Sequence, residues 1–90
     1  MSRAATTPDE IAYLRDFGLR LRLLRVARHL GQGDLAERSG LSRVYIGALE
    51  RGVNGPNLIV LRRLAQALDL TTAELVDERT LRVPPIRRPN

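Results

Sequence analysis

One stretch of the chain, Gly31–Glu50 (GQGDLAERSGLSRVYIGALE), constrains the fold more than any other. Its pattern predicts two short helices, over about 32–39 and 42–51, joined by a tight turn. Gly40 lies in the turn, where glycine readily takes the positive φ that ends a helix. The hydroxyl of Ser42 is at the position that caps the second helix. Apolar residues at helical spacing would hold the two helices together, namely Leu35, Ala36, Leu41, Ile46 and Leu49.

Two helices joined by a short turn that contains glycine form a helix-turn-helix, and the second helix of that motif enters the major groove of DNA. Short helical hairpins occur in many proteins. The remaining residues must therefore decide whether this hairpin binds DNA.

The composition excludes several classes of protein. With 90 residues there is room for one domain, and with no cysteine and one histidine neither a disulfide framework nor a Cys/His metal site is expected. No apolar segment resembles a signal peptide or a membrane span, so we expect a cytoplasmic protein that associates with the nucleoid. We expect no cofactor, and we expect no enzyme because no acid pair, nucleophile–base pair or phosphate loop has the required spacing.

The charge pattern favours a polyanionic partner. The net charge is +5 and all 15 cationic residues are arginine, whose guanidinium bonds two acceptors of phosphate or guanine at once. The 31–57 segment itself is neutral, because it contains three arginines and three acidic residues. We therefore hypothesise that Arg3 or the arginines of the carboxyl-terminal tail (Arg79, Arg82, Arg87 and Arg88) add phosphate contacts.

Three further helices complete an all-α prediction of five helices and no strand. The periodicity places them over about 9–28, 57–68 and 72–77. Residues 9–77 would form the domain, between a flexible amino-terminal arm (1–8) and an extended or disordered Arg/Pro-rich tail (78–90). In the fourth helix we expect the inward side chains to be Leu58, Leu61, Leu64, Ala65 and Leu68.

Four sequence motifs resemble the Cro/cI-type (lambda-repressor-like, XRE family) helix-turn-helix proteins. They are FGLRLRLLR in the first helix, LGQGDLA in the second, SGLSRVYIGALERG through the third and PNLxxLxxLAxAL in the fourth. The resemblance covers roughly residues 17–76. It implies a compact five-helix domain that binds duplex DNA, usually as a dimer.

The resemblance assigns base contacts to the first exposed turn of the third helix. Arg43, Val44 and Tyr45 occupy that turn, and Ala48 follows one turn later. Arg43 can bond guanine N7 and O6, and Val44 suits a thymine methyl group. Gly47 stands mid-helix, where it is either simply tolerated or marks close approach to DNA or to a neighbouring residue.

The resemblance also implies roles outside that turn. Arg25 and Glu50 would form a structural ion pair between the first and third helices. Candidate phosphate contacts lie at the start of the second helix, at the end of the third and in the loop that follows, at Gln32, Arg51, Asn54 and Asn57.

More apolar surface is predicted than a small monomer leaves exposed. The candidate dimer or partner surface comprises Leu19, Leu23, Val26, Ile59, Leu75 and Val76. Three accounts remain open: a homodimer through the fifth helix and the tail, the tail folding over the first helix, and a separate protein partner such as a toxin or a sigma-like subunit.

These observations favour a sequence-specific DNA-binding transcriptional regulator that acts as a dimer on a pseudo-palindromic operator, with 42–51 as the recognition helix. A restriction–modification controller and an antitoxin-type autoregulator are alternatives within that class. A protein-interaction module built on the same fold is the alternative of a different class.

Overall fold

The computed structural model describes residues 2–3 and 5–80 of the chain. Five helices account for most of these residues, as predicted. They are α1 (Pro8–Ala27), α2 (Gln32–Ser39), α3 (Arg43–Glu50), α4 (Leu58–Ala67) and α5 (Thr72–Val76). The tail residues 81–90, including Leu81, Val83, Ile86, Arg82, Arg87 and Arg88, lie outside the described residues.

The helices begin where local chemistry places a cap. The Ser42 hydroxyl accepts a hydrogen bond from the Tyr45 amide at 3.0 Å, and the Asn57 side chain accepts one from the Val60 amide at 2.8 Å. Between α2 and α3, Gly40 has a φ of 75°, the left-handed conformation that the sequence predicted for this turn. These caps explain why the predicted helix ends agree closely with the structure.

All five helices contribute to a single core. Leu21 of α1, Leu35 of α2 and Ile46 of α3 are fully buried there, together with Leu64 of α4 and Leu75 of α5. The contiguous apolar cluster also includes Phe17, Leu30, Ala36, Leu49, Val60, Ala65 and Leu68. The core therefore fixes α2 and α3, the helical hairpin, on the long helix α1.

Helix α4 differs from the prediction only in its first turn. Leu58, expected to face inward, is 71% exposed, whereas Val60, which was not among the predicted inward residues, is 2% exposed. Leu58 is the first residue of α4, directly after its cap Asn57. The other predicted inward positions are confirmed, since Leu64, Ala65 and Leu68 are buried and Leu61 packs against the core.

Helix α5 also differs from the prediction. Leu75, proposed as part of a dimer or partner surface, is fully buried in the core, so that assignment is wrong. Arg20 of α1 is 1% exposed, and its Nε donates to the Leu75 carbonyl at 2.9 Å. The guanidinium also lies 5.6 Å from the centre of the Phe17 ring. The Nε donor thus satisfies a carbonyl near the end of α5, for which the described residues supply no backbone amide.

The expectation of helices alone misses one small ladder. Strand β1 (Ser2–Arg3) pairs antiparallel with β2 (Gly55–Pro56), with Ser2 opposite Pro56 and Arg3 opposite Gly55. Two-residue strands carry too few alternating side chains to be recognised by periodicity. The ladder joins the amino-terminal segment to the loop between α3 and α4.

Helices α1 and α3 approach each other closely at Gly18. A Cβ atom at this position would lie 2.5 Å from the backbone carbonyl oxygens of both Leu49 and Glu50. Real Cβ contacts do not come that close. The position therefore requires glycine, although glycine costs about 1 kcal/mol relative to alanine within a helix.

Substituting Gly18→Ala should destabilise the fold, because the added methyl group meets backbone atoms that cannot move independently. Overpacking of this kind typically costs about 1–3 kcal/mol, and urea unfolding would measure it. Gly33→Ala is the matched control, since no atom lies within 4 Å of its Cβ position. Equal stability of the two variants would contradict the close packing of α1 on α3.

Candidate nucleic-acid interface

The first turn of α3 presents the side chains that were predicted to contact bases. Arg43 is exposed and Val44 is 81% exposed, so both are available to a molecule outside the protein. Ala48, one turn later, is half-buried. The start of α3 therefore offers one cationic and one apolar side chain to the outside.

Tyr45 occupies a different environment from its two neighbours. It is half-buried and packs against the core, and its hydroxyl is buried without a hydrogen-bond partner among the described residues. The ring therefore supports α3 in this structure. A base contact by Tyr45 would require the hydroxyl to leave its present position.

The predicted ion pair between α1 and α3 is present and has two contacts. Arg25 Nε donates to Glu50 Oε2 at 2.6 Å and Nη2 donates to Oε1 at 3.0 Å. The side chains are only 11% and 4% exposed, respectively. The hydrogen bond to Glu50 raises the pKa of Arg25 further above its ordinary value, so the guanidinium stays charged. A third donor, Arg25 Nη1, bonds the Leu30 carbonyl at 2.8 Å.

Gln32, a predicted phosphate ligand, is attached to this ion pair. Its Nε2 donates to Glu50 Oε1 at 3.0 Å, so the ion pair holds the amide at the first position of α2. One N–H of the amide and the carbonyl oxygen remain for another partner. The first backbone amides of α2 lie beside it, and helix starts of this kind attract anions.

The other predicted phosphate contacts lie at the end of α3 and in the loop that follows it. Asn57 uses its Oδ1 to cap α4, which leaves its amide N–H groups as donors. Asn54 is half-buried, and Arg51 is exposed at the carboxyl-terminal cap of α3. The structure thus places Gln32, Arg51, Asn54 and Asn57 on elements that adjoin α3.

Two residues of this region had no assigned role in the sequence. Arg22 of α1 and Gly47 of α3 line a surface cavity together with Gln32, Arg51 and the ion pair. Gly47 is buried, with the side chains of Arg51 and Gln32 close to it. Of the two explanations left open by the sequence, simple tolerance or close approach, the structure favours close approach to a neighbouring residue. The signal for Arg22 was weak, because it is one of several arginines in α1.

Apolar side chains remain exposed along α1 and at the start of α4. Leu19, Leu23 and Val26 form a stripe along α1, and Ile59 is exposed beside Leu58. Val76 is half-buried. None of the helices in residues 2–3 and 5–80 combines the length and the apolar composition needed to cross a membrane.

An exposed helix held by its carboxyl-terminal end, preceded by a short helix and a glycine turn, defines a helix-turn-helix protein. Residues 21–75 match the helix-turn-helix family HTH_3, and the chain belongs to that family.

Several known proteins are similar to this chain. The immunity repressor protein of Bacillus phage phi105 is 39% identical over 64 residues, which are 71% of this chain and 44% of that repressor. The chain thus spans less than half the length of the phage protein.

Two solved structures share the fold and part of the sequence. The restriction–modification controller protein C.AhdI from Aeromonas hydrophila is 48% identical, with a TM-score of 0.70 over 71% of this chain and 97% of that one. The biofilm regulator SinR, solved in complex with DNA, is 26% identical, with a TM-score of 0.64 over 68% of this chain and 98% of that one.

Replacing Glu50 by alanine should unfold the protein rather than only weaken a contact. The substitution leaves Arg25 charged and nearly buried without its partner, which typically costs about 3–5 kcal/mol. Circular dichroism during urea unfolding would measure the loss. Glu37→Ala, at an exposed site on α2, is the control and should keep the wild-type midpoint. A folded Glu50→Ala protein that has lost only DNA binding would show that Glu50 acts in recognition.

Proposed function

We propose that this protein binds duplex DNA at specific sequences and thereby regulates transcription, with α3 as the recognition helix. The observation that carries the proposal is the exposed pair Arg43 and Val44 at the start of a helix that the Arg25–Glu50 ion pair anchors at its other end. A guanidinium can read guanine and an isopropyl group can contact a thymine methyl. Gln32, Arg51, Asn54 and Asn57 would position the helix by contacting phosphates.

The proposal extends to an operator with two half-sites. Leu19, Leu23, Val26 and Ile59 are exposed apolar residues, and a homodimer would cover part of this surface. Two recognition helices related by a two-fold axis would read half-sites about 34 Å apart. Because Leu75 is buried, the remaining candidates for a dimer interface near the fifth helix are Ile59 on α4 and the half-buried Val76 on α5.

A controller-type autoregulator is the second candidate. The 48% identity to C.AhdI over nearly all of that controller supports it. A controller is expected to protect DNA upstream of its own gene from nuclease digestion. Protection only at distant sites would instead favour a regulator of other genes. No protection of any duplex would favour the protein-interaction module.

The central test of the proposal is selection of bound sites from random duplex DNA, followed by the same selection with Arg43→Ala. The wild-type protein should enrich one pseudo-palindromic sequence that contains a guanine in each half-site. Arg43→Ala should relax the preference at that guanine, with a loss of about 1–3 kcal/mol of discrimination. Arg38→Ala is the control, because it removes an exposed arginine at the carboxyl-terminal end of α2, and it should keep the wild-type sequence preference. An unchanged sequence preference in Arg43→Ala would refute a base contact by Arg43.

Analytical ultracentrifugation tests the dimer. A dimer is expected at micromolar concentration, and Ile59→Glu should shift it towards monomer because a carboxylate would be placed in an apolar contact. Leu23→Glu makes the same change on the α1 stripe. A shift with Leu23→Glu alone would assign the interface to α1, and a wild-type monomer would contradict the dimer.

A further inference from the structure

The cavity beside the proposed DNA contacts carries uncompensated positive charge. Its volume is about 310 Å³, and its lining comprises Arg22, Arg25, Gln32, Gly47, Glu50 and Arg51. Arg25 and Glu50 neutralise each other through their two-point contact. Arg22 and Arg51 are exposed and make no ion pair within the described part of the chain. Two guanidinium charges therefore remain for a ligand.

Gly47 lies close to two of the donors that line this cavity. A Cβ atom at position 47 would lie 3.3 Å from Arg51 Nη1 and 3.9 Å from both Gln32 Nε2 and Gln32 Oε1. The guanidinium of Arg51 thus lies back along α3, over position 47, next to the Gln32 amide. A methyl group at this position would displace the Arg51 guanidinium slightly and would lie in ordinary contact with the Gln32 amide.

The cavity belongs to the face that was assigned to DNA. Residues 43, 47 and 51 recur every four positions, so Gly47 and Arg51 lie on the same face of α3 as Arg43. Gln32 adds the start of α2, where the first backbone amides have no partner within the helix. Arg22 approaches from α1, a helix that has no other proposed contact with DNA.

We propose that this cavity binds one phosphate group of the DNA backbone, with Arg22 as an additional ligand and Gly47 as the residue that leaves room for the Arg51 guanidinium. The proposal rests on the proposed function and adds two residues to it. The forked guanidinium groups suit the phosphate oxygens, and the Gln32 amide retains one N–H to donate. The ligand is a backbone phosphate, so its recognition does not depend on base sequence.

The test is the salt dependence of binding to a duplex of mixed sequence, measured by fluorescence anisotropy with the full chain. Each phosphate contact contributes about 0.9 to the magnitude of the slope of log K against log salt concentration. Arg22→Gln should lower that magnitude by about 0.9. The matched control is Arg63→Gln, which removes the same charge from a different cleft. That cleft is lined by Arg38 and Gln66, at the opposite end of α2 from Gln32. The control should keep the wild-type slope.

Gly47→Ala separates binding from folding, because the two effects have opposite signs. Alanine favours the helix, and only the flexible end of Arg51 has to move, so the variant should resist urea at least as well as the wild type. Its affinity for the duplex should nevertheless fall about tenfold, the size expected when one charge-assisted hydrogen bond is lost.

Three results would overturn the phosphate site while leaving DNA binding in place. The first is an unchanged salt slope in Arg22→Gln, and the second is an unchanged affinity for the duplex in Gly47→Ala. The third is saturable binding of inorganic phosphate to the cavity when substitutions in the cavity leave the salt slope of DNA binding unchanged. Failure of the wild-type chain to bind any duplex would instead refute the proposed function, and the phosphate site with it.

Discussion

The contact between α1 and α3 is the interaction on which the rest of the structure depends. At Gly18 the two helices meet backbone to backbone, and two helical turns further along α1, Arg25 bonds Glu50 through two donors. Both contacts hold the carboxyl-terminal end of α3. The amino-terminal end, with Arg43 and Val44, is consequently free to project from the domain. A rigid base and an exposed tip are what a helix needs if it is to enter a groove in DNA.

The same ion pair connects the scaffold to the proposed phosphate contacts. Glu50 accepts from Arg25 and from Gln32, so one carboxylate links the packing of α1 to the start of α2. This link has a consequence for electrostatics. The 31–57 segment is neutral with Arg51 included, so the additional positive charge beside it comes from Arg22 on α1. Affinity for a polyanion thus depends on how α1 and α3 pack together.

Sequence reasoning predicted features that depend on local chemistry. The ends of α3 and α4 follow from Ser42 and Asn57, whose side chains cap them, and the family motifs predicted the Arg25–Glu50 pair. Features that depend on how helices pack together were predicted less completely. Leu64, Ala65 and Leu68 of α4 face inward as expected, but Leu58 is exposed and Val60 is buried.

Burial of charge and close backbone contacts were equally hard to predict. The burial of Arg20 was not predicted, since arginine is rarely buried, and its hydrogen bond to the Leu75 carbonyl compensates for that burial. The close approach at Gly18 depends on the distance between two helices, which periodicity does not report.

The most direct test of the whole account is the change in backbone amide NMR signals when the selected duplex is added to the labelled protein. The account predicts the largest changes at the start of α2, the first turn of α3 and the loop before α4, with little change along α5. Changes concentrated on the Leu19–Leu23–Val26 stripe, with α3 unaffected, would contradict it.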